Sequence, residues 1–198
     1  VWDFDFDSTG RLLVAGEFTS FSDTTESGLV RLSATGALDT AFAANTALTG
    51  GVIAVDALAN GQILIGGTFT NSGGFLANRL DRLNADGTSD ANFIPGTGMN
   101  GYVRALALDP FGNIAFTGGF TTVRDEVRYN VGRLGPNGAA DALFAADTID
   151  PLANAYGLLA LPDGKFLVSG GIRAVNGALR PGVARFHGSP VRRGDVAT

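Results

Sequence analysis

Three carboxylates alternate with two phenylalanines in Asp3-Phe4-Asp5-Phe6-Asp7. A strand has a side-chain period of two, so a strand here carries Asp3, Asp5 and Asp7 on one face and Phe4 and Phe6 on the other. Asp56 stands 51 positions after Asp5. Asp3, Asp5 and Asp56 are therefore the candidate metal group, and a set made only of carboxylate oxygens suits Ca²⁺. That ion takes roughly six to eight oxygens, more than three carboxylates supply readily. A solvated acidic wall, or an edge strand guarded by charge, accounts for the same residues more simply. Paired carboxylates about 5–10 Å apart also hydrolyse glycosidic bonds, and Asp5 with Asp56 is the pair to examine for that chemistry.

Other catalytic constellations are thin. The single histidine, His187, has no cysteine and no Gly-x-Ser-x-Gly element to work with, which reads as a surface residue at a strand end. With no cysteines at all, disulfides and thiolate metal sites are excluded. Arg193-Gly194-Asp195 has the form of an integrin-binding tripeptide, but three residues match by chance too readily to carry an argument. Arginine recurs at 31, 82, 133 and 185, and the first three are followed eight residues later by Asp39, Asp90 and Asp141. An ion pair across neighbouring strands, or between neighbouring sheets, explains both residues at once. A ligand-binding arginine ring would leave the aspartates unexplained. Arg185 lacks its aspartate and is expected to be unpaired or to pair with a neighbour.

These residues recur because the chain does. Gly10, Gly61, Gly112 and Gly164 anchor four copies, followed six residues on by Gly16, Gly67, Gly118 and Gly170. Gly36, Gly87 and Gly138 mark a second turn, and Phe42, Phe93 and Phe144 follow the aspartates by three. The fourth copy departs there, with Pro190, Arg193 and Val196 in the matching positions. The repeats are set at 1–51, 52–102, 103–154 and 155–198. Each reads as four short antiparallel strands: an alternating first strand such as 103–109, a second such as 62–69, a third carrying the Arg-Leu pair, and a fourth around 89–94. Asn-Gly and Asp-Gly turns between apolar alternations are strong hairpin signals, and helical periodicity is absent. A unit of this length with four strands is a propeller blade. The expected fold is all-β: a β-propeller of four blades, as a closed ring or as an arc of a larger one. Glycines in the second strand fit blades packed closely face to face.

The stretch "ALALDPFGNIAFTGGFTTV…NVGRLGPNGAADALF", with "ALPDGKFLVSGG" in the last copy, resembles the delta-60 repeat of bacterial β-propellers, and the likeness covers nearly the whole chain. The resemblance implies a propeller within a long secreted or surface-attached bacterial protein. It implies little about activity.

Composition narrows the function further. Apolar residues make up 45% and charged residues 17%, which is a core-forming balance, and the 29 glycines are about twice average usage. A net charge of −5 argues against nucleic acid, which needs a basic face. No apolar run is long enough to span a membrane as a helix. The chain opens Val1-Trp2-Asp3 without Met or signal peptide, which suggests a processed or excised piece. Antiparallel order places tight turns at one end and the longer connections at the other: 19–27, 70–78, 121–129 and 173–181, with the blade-to-blade segments 45–51 and 95–101. Binding favours loops held on a rigid frame, so the elaborated end is the expected binding face. Phe75, Tyr102 and Tyr129 are its candidate ligand-contacting residues. The first reading is a non-enzymatic binding or scaffolding module, extracellular or on the bacterial surface, with a protein or glycan as ligand and no cofactor beyond Ca²⁺ held by Asp3, Asp5 and Asp56 in the central channel that the innermost strands of a propeller surround. The second is a spacer that associates with further blades or identical subunits through exposed blade edges. The third is a carbohydrate-active enzyme using channel carboxylates.

Overall fold

The computed structural model describes residues 1–42, 48–72, 74–141, 144, 154–175 and 178–187, with Phe75 described in its backbone alone. The first repeat holds β1 (Asp3–Phe6), β2 (Leu12–Ala15) and β3 (Leu29–Leu32). The second holds β4 (Val52–Ala57), β5 (Ile63–Gly67), β6 (Asn71–Ser72), β7 (Phe75–Leu76) and β8 (Leu80–Leu83). The third holds β9 (Val103–Leu108), β10 (Ile114–Gly118), β11 (Thr122–Val123), β12 (Glu126–Val127) and β13 (Val131–Leu134). The fourth holds β14 (Ala155–Ala160), β15 (Phe166–Gly170), β16 (Ala174–Val175), β17 (Ala178–Leu179) and β18 (Val183–Phe186).

Each repeat folds into one antiparallel three-stranded sheet, ordered β1-β2-β3, β4-β5-β8, β9-β10-β13 and β14-β15-β18. The register repeats too: Phe4 faces Val14, Val55 faces Ile65, Leu106 faces Phe116 and Leu158 faces Val168. The anchor glycines turn the first strand into the second with φ of 79°, 86°, 80° and 78°, a backbone region that only glycine enters freely. The expected fourth strand shrinks to a single bridge in three repeats, Leu32 to Leu38, Leu83 to Ser89 and Leu134 to Ala140. After that bridge the chain turns so that Phe42 and Phe93 donate to the carbonyls of Asp39 and Asp90, which ends strand pairing.

The sheets stack face to face, and the core lies between them. Leu13 and Leu29 of the first sheet meet Val55, Ile63 and Ile65 of the second. Leu64 and Leu80 meet Val103 and Phe116 of the third. Ala115 and Val131 meet Phe166, Val168 and Phe186 of the fourth. The innermost strands pack in order, β1 on β4, β4 on β9 and β9 on β14. β14 does not pack back on β1 to a comparable extent, so the sheets are not closed into a ring. The architecture is all-β and propeller-like, with no helix among the described residues.

The second-strand glycines do two jobs. A Cβ on Gly66 would meet the Val103 side chain of the next sheet at 2.5 Å, which is the face-to-face packing expected. Gly67, Gly118 and Gly170 sit instead where the pairing with the inner strand shifts register. A Cβ there would meet the backbone carbonyl just before the inner strand of the same sheet, that of Gly51, Tyr102 or Asn154, at 2.1, 1.9 and 2.0 Å respectively. Close backbone approach at a bulge, rather than blade packing, is what demands glycine at those three positions.

Candidate functional site

The recurring arginines belong to the fold. Arg31 Nε donates to Asp39 at 2.9 Å, Arg82 Nε to Asp90 at 2.8 Å and Arg133 Nε to Asp141 at 2.6 Å. The second guanidinium nitrogen, Nη2, reaches the same carboxylate in each case. The phenylalanine three residues beyond lies under the guanidinium, 4.2 Å away for Phe42, 5.0 Å for Phe93 and 5.5 Å for Phe144. The spacing of Arg, Asp and Phe thus describes one clamp: two charge-assisted bonds and a ring face on a single cation. The remaining nitrogen latches the next sheet, Arg31 Nη1 to the carbonyl of Ala85 and Arg82 Nη1 to that of Pro136. The matching partner of Arg133 would be residue 188, which lies outside the described residues. Arg185 is exposed, as is His187 just past β18, and 190–198, with the tripeptide at 193–195, lie outside the described residues.

The aspartates of β1 are spent on neighbouring backbone. Inner-strand N–H groups alternate between pointing at the sheet and pointing away from it, and those of Phe4, Phe6, Val55 and Ala57 point away. Asp3 accepts from Phe4 N–H with one oxygen and from Val55 N–H, on β4, with the other, at 2.9 Å each. Asp5 does the same with Phe6 and Ala57, at 2.8 Å each. Each carboxylate therefore staples two adjacent inner strands that share no ladder. Asp56 lies near both charges. Burial, then the charges of Asp5 and Asp3, push its pKa up to about 6. Among the described residues no group of three or more His, Cys, Asp or Glu is arranged to hold a metal ion.

This electrostatic arrangement has a sign. A carboxyl whose pKa is raised by folding stabilises the fold below its unfolded pKa of 3.8 and loses that contribution as pH rises through about 6. Asp56→Asn is therefore expected to gain on the order of 2 kcal/mol at pH 7, since one pKa unit is worth about 1.4 kcal/mol. The gain should shrink as pH falls from 7 to 4. Urea melts of both proteins across that range would show it, and a variant less stable than the parent at pH 7 would contradict it.

At the elaborated end the long connections are themselves small hairpins, β6 with β7, β11 with β12 and β16 with β17, and a lone bridge from Phe21 to Thr24 in the first repeat. Ser22 and Asp23, like Arg124 and Asp125, take positive φ as consecutive residues, the geometry of tight two-residue hairpin turns. Leu76, Val127 and Leu179 hold the same position in the second arm of each hairpin and are 75%, 56% and 79% exposed. The sequence columns contain this signal, since residues 76, 127 and 179 are spaced like the anchors, but burial alone shows that they face outward. Tyr102 is half-buried with its ring against Gly119, and Tyr129 is half-buried too. The side chain of Phe75 is outside what is described.

The inner strands begin at this same end. Trp2, just before β1, and Ile53, Arg104 and Tyr156, the second residues of β4, β9 and β14, together line a cavity of about 340 Å³. Arg104 sits over the Tyr156 ring at 5.2 Å, and both aromatics are exposed over half their surface or close to it.

Residues 8–42 and 58–93, in the first and second repeats, match the family described as "Domain of unknown function (DUF5122) beta-propeller". No curated protein matches the chain. A crystal structure of the extracellular domain of BT4673 from B. thetaiotaomicron aligns over 88% of this chain with a TM-score of 0.50 and 15% identity. The chain spans 22% of that protein's length. At that identity the likeness concerns fold alone.

Proposed function

We propose that this chain, whose first two repeats match the DUF5122 beta-propeller family, is a non-enzymatic binding and scaffolding module of a secreted or cell-surface bacterial protein. Its hairpin-bearing end recognises a protein or glycan. The observation that carries this reading is the row of outward aliphatic side chains, Leu76, Val127 and Leu179, at one position in three successive hairpins. Exposed aliphatic groups repeated at one position on a stiff frame favour a protein partner, because apolar surface left open to water is surface for a partner to cover. Clamps and staples consume the repeated arginines of the first three repeats and Asp3 and Asp5. The extracellular setting draws on the B. thetaiotaomicron structure, itself an extracellular domain.

The test is retention of bacterial surface proteins and an array of neutral glycans, free of carboxylated sugars, by the parent chain and by a Leu76→Asp, Val127→Asp, Leu179→Asp triple variant. Surface changes of this kind shift stability by about 0.5 kcal/mol or less each, so the variant should melt with the parent and retain nothing. Equal retention by both would end this reading.

A second reading, an assembly unit within a larger propeller, rests on the end sheets. Phe4 is 64% exposed where its counterpart Val55 is 6%, and Val183 is 55% exposed where its counterpart Val131 is 1%. Positions that form the core between sheets are open at both ends of the stack, which invites a further sheet of the same kind.

A further inference from the structure

The inner strands supply a template for their own ligand. In the first and second repeats the outward N–H groups of Phe4 and Val55 share the two oxygens of Asp3. The matching groups in the third and fourth repeats are the N–H of Leu106 and Leu158. They point the same way, because Asp109 and Leu161 donate back into their own sheets and the ladder alternates from there. The residue matching Asp3 is Ala105, and no side chain among the described residues accepts from Leu106 or Leu158. The space a carboxylate fills between β1 and β4 thus lies between β9 and β14 against a methyl group. Ala105, Leu106 and Leu158 all line the 340 Å³ cavity, together with Arg104, the one cation among the described residues of its lining, and the exposed Trp2 and Tyr156.

We infer that this slot binds a carboxylated sugar ring, a uronate, with its carboxylate bridging Leu106 N–H and Leu158 N–H as Asp3 bridges Phe4 and Val55. Arg104 supplies the countercharge that Asp3 lacks in the first pair, and offsets the negative field of Asp3 across the cavity. The ring of Trp2, and the face of Tyr156 that Arg104 does not cover, receive the C–H side of the sugar. A volume of about 340 Å³ is within the range of small-ligand sites. This site is separate from the hairpin row, and either stands if the other falls.

Titration calorimetry with D-glucuronate, D-glucose and N-acetyl-aspartate amide tests it. Glucuronate should bind, with glucose and the aspartate compound at least tenfold weaker. Ala105→Asp places the protein's own carboxylate in the slot, and should abolish binding without lowering the melting temperature. Arg104→Met should weaken glucuronate at least tenfold and decides the matter should the first variant fail to fold. The hairpin triple variant should bind glucuronate like the parent. No glucuronate binding by the parent, or binding unchanged in both Ala105→Asp and Arg104→Met, overturns the site. An aspartate compound that binds as tightly as glucuronate overturns the sugar assignment.

Discussion

Asp90→Ala is expected to lose about 3–4 kcal/mol of folding stability, in the range for breaking a buried ion pair from one side. The carboxylate accepts from Arg82 Nε and Nη2 and from Gln62, and both members of the pair are largely buried. Burial acts to raise its pKa, but the Asn92 amide and the Arg82 guanidinium outweigh this and hold it below the usual carboxylate range. Removing it strands a guanidinium whose third nitrogen still holds the Pro136 carbonyl of the next sheet. The loss should therefore be read between sheets as well as within one. Chemical denaturation gives the number, and Asp90→Asn, which keeps an acceptor, should recover part of it. A loss below 1 kcal/mol would mean that the clamp is surface decoration.

Gly118→Ala should be comparably damaging, on the order of 3 kcal/mol, for a different reason. Its Cβ would stand 1.9 Å from the Tyr102 carbonyl oxygen, and a backbone carbonyl at a bulge cannot swing aside as a side chain can. Gly36 provides the contrast. Its φ is +83° and nothing lies within 4 Å of a Cβ there, so Gly36→Ala should meet only the left-handed backbone penalty of about 1–2 kcal/mol. Thermal melts of the two variants separate close approach from backbone conformation. Equal losses would mean that conformation alone explains the glycines.

The sequence displays the repeat so plainly because both the turns and the clamp are built from residues near one another in the chain. Arg82, Asp90 and Phe93 lie within twelve positions, and recurrence in three copies makes their partnership readable. The latch from Arg82 to Pro136 joins residues 54 apart through a carbonyl that every residue owns, so no residue type announces it. The same is true of Asp3 and Asp5. Alternation places them on one face, which suggests a cation site, but their actual partners are main-chain N–H groups of the adjacent strand. Hairpins β11–β12 and β16–β17 hide for another reason. They are two residues per arm, and the first of them turns at Arg124-Asp125 with no glycine, beneath the length at which alternation can be seen. Leu76, Val127 and Leu179 carry an apolar signature that reads equally as core, and only their position outside the stacked sheets makes them surface.

That stack is open in this structure, with Phe4 and Phe6 uncovered at one end and Leu159 and Val183 at the other. Small-angle X-ray scattering with light scattering on the 20.3 kDa chain tests this most directly. The expected result is an open arc, either as a single particle or joined to others through its end sheets, with joining abolished by Phe4→Glu. A compact single-chain ring, in which β14 packs on β1 and buries Phe4, would contradict the account and place the entire function on a closed four-sheet propeller.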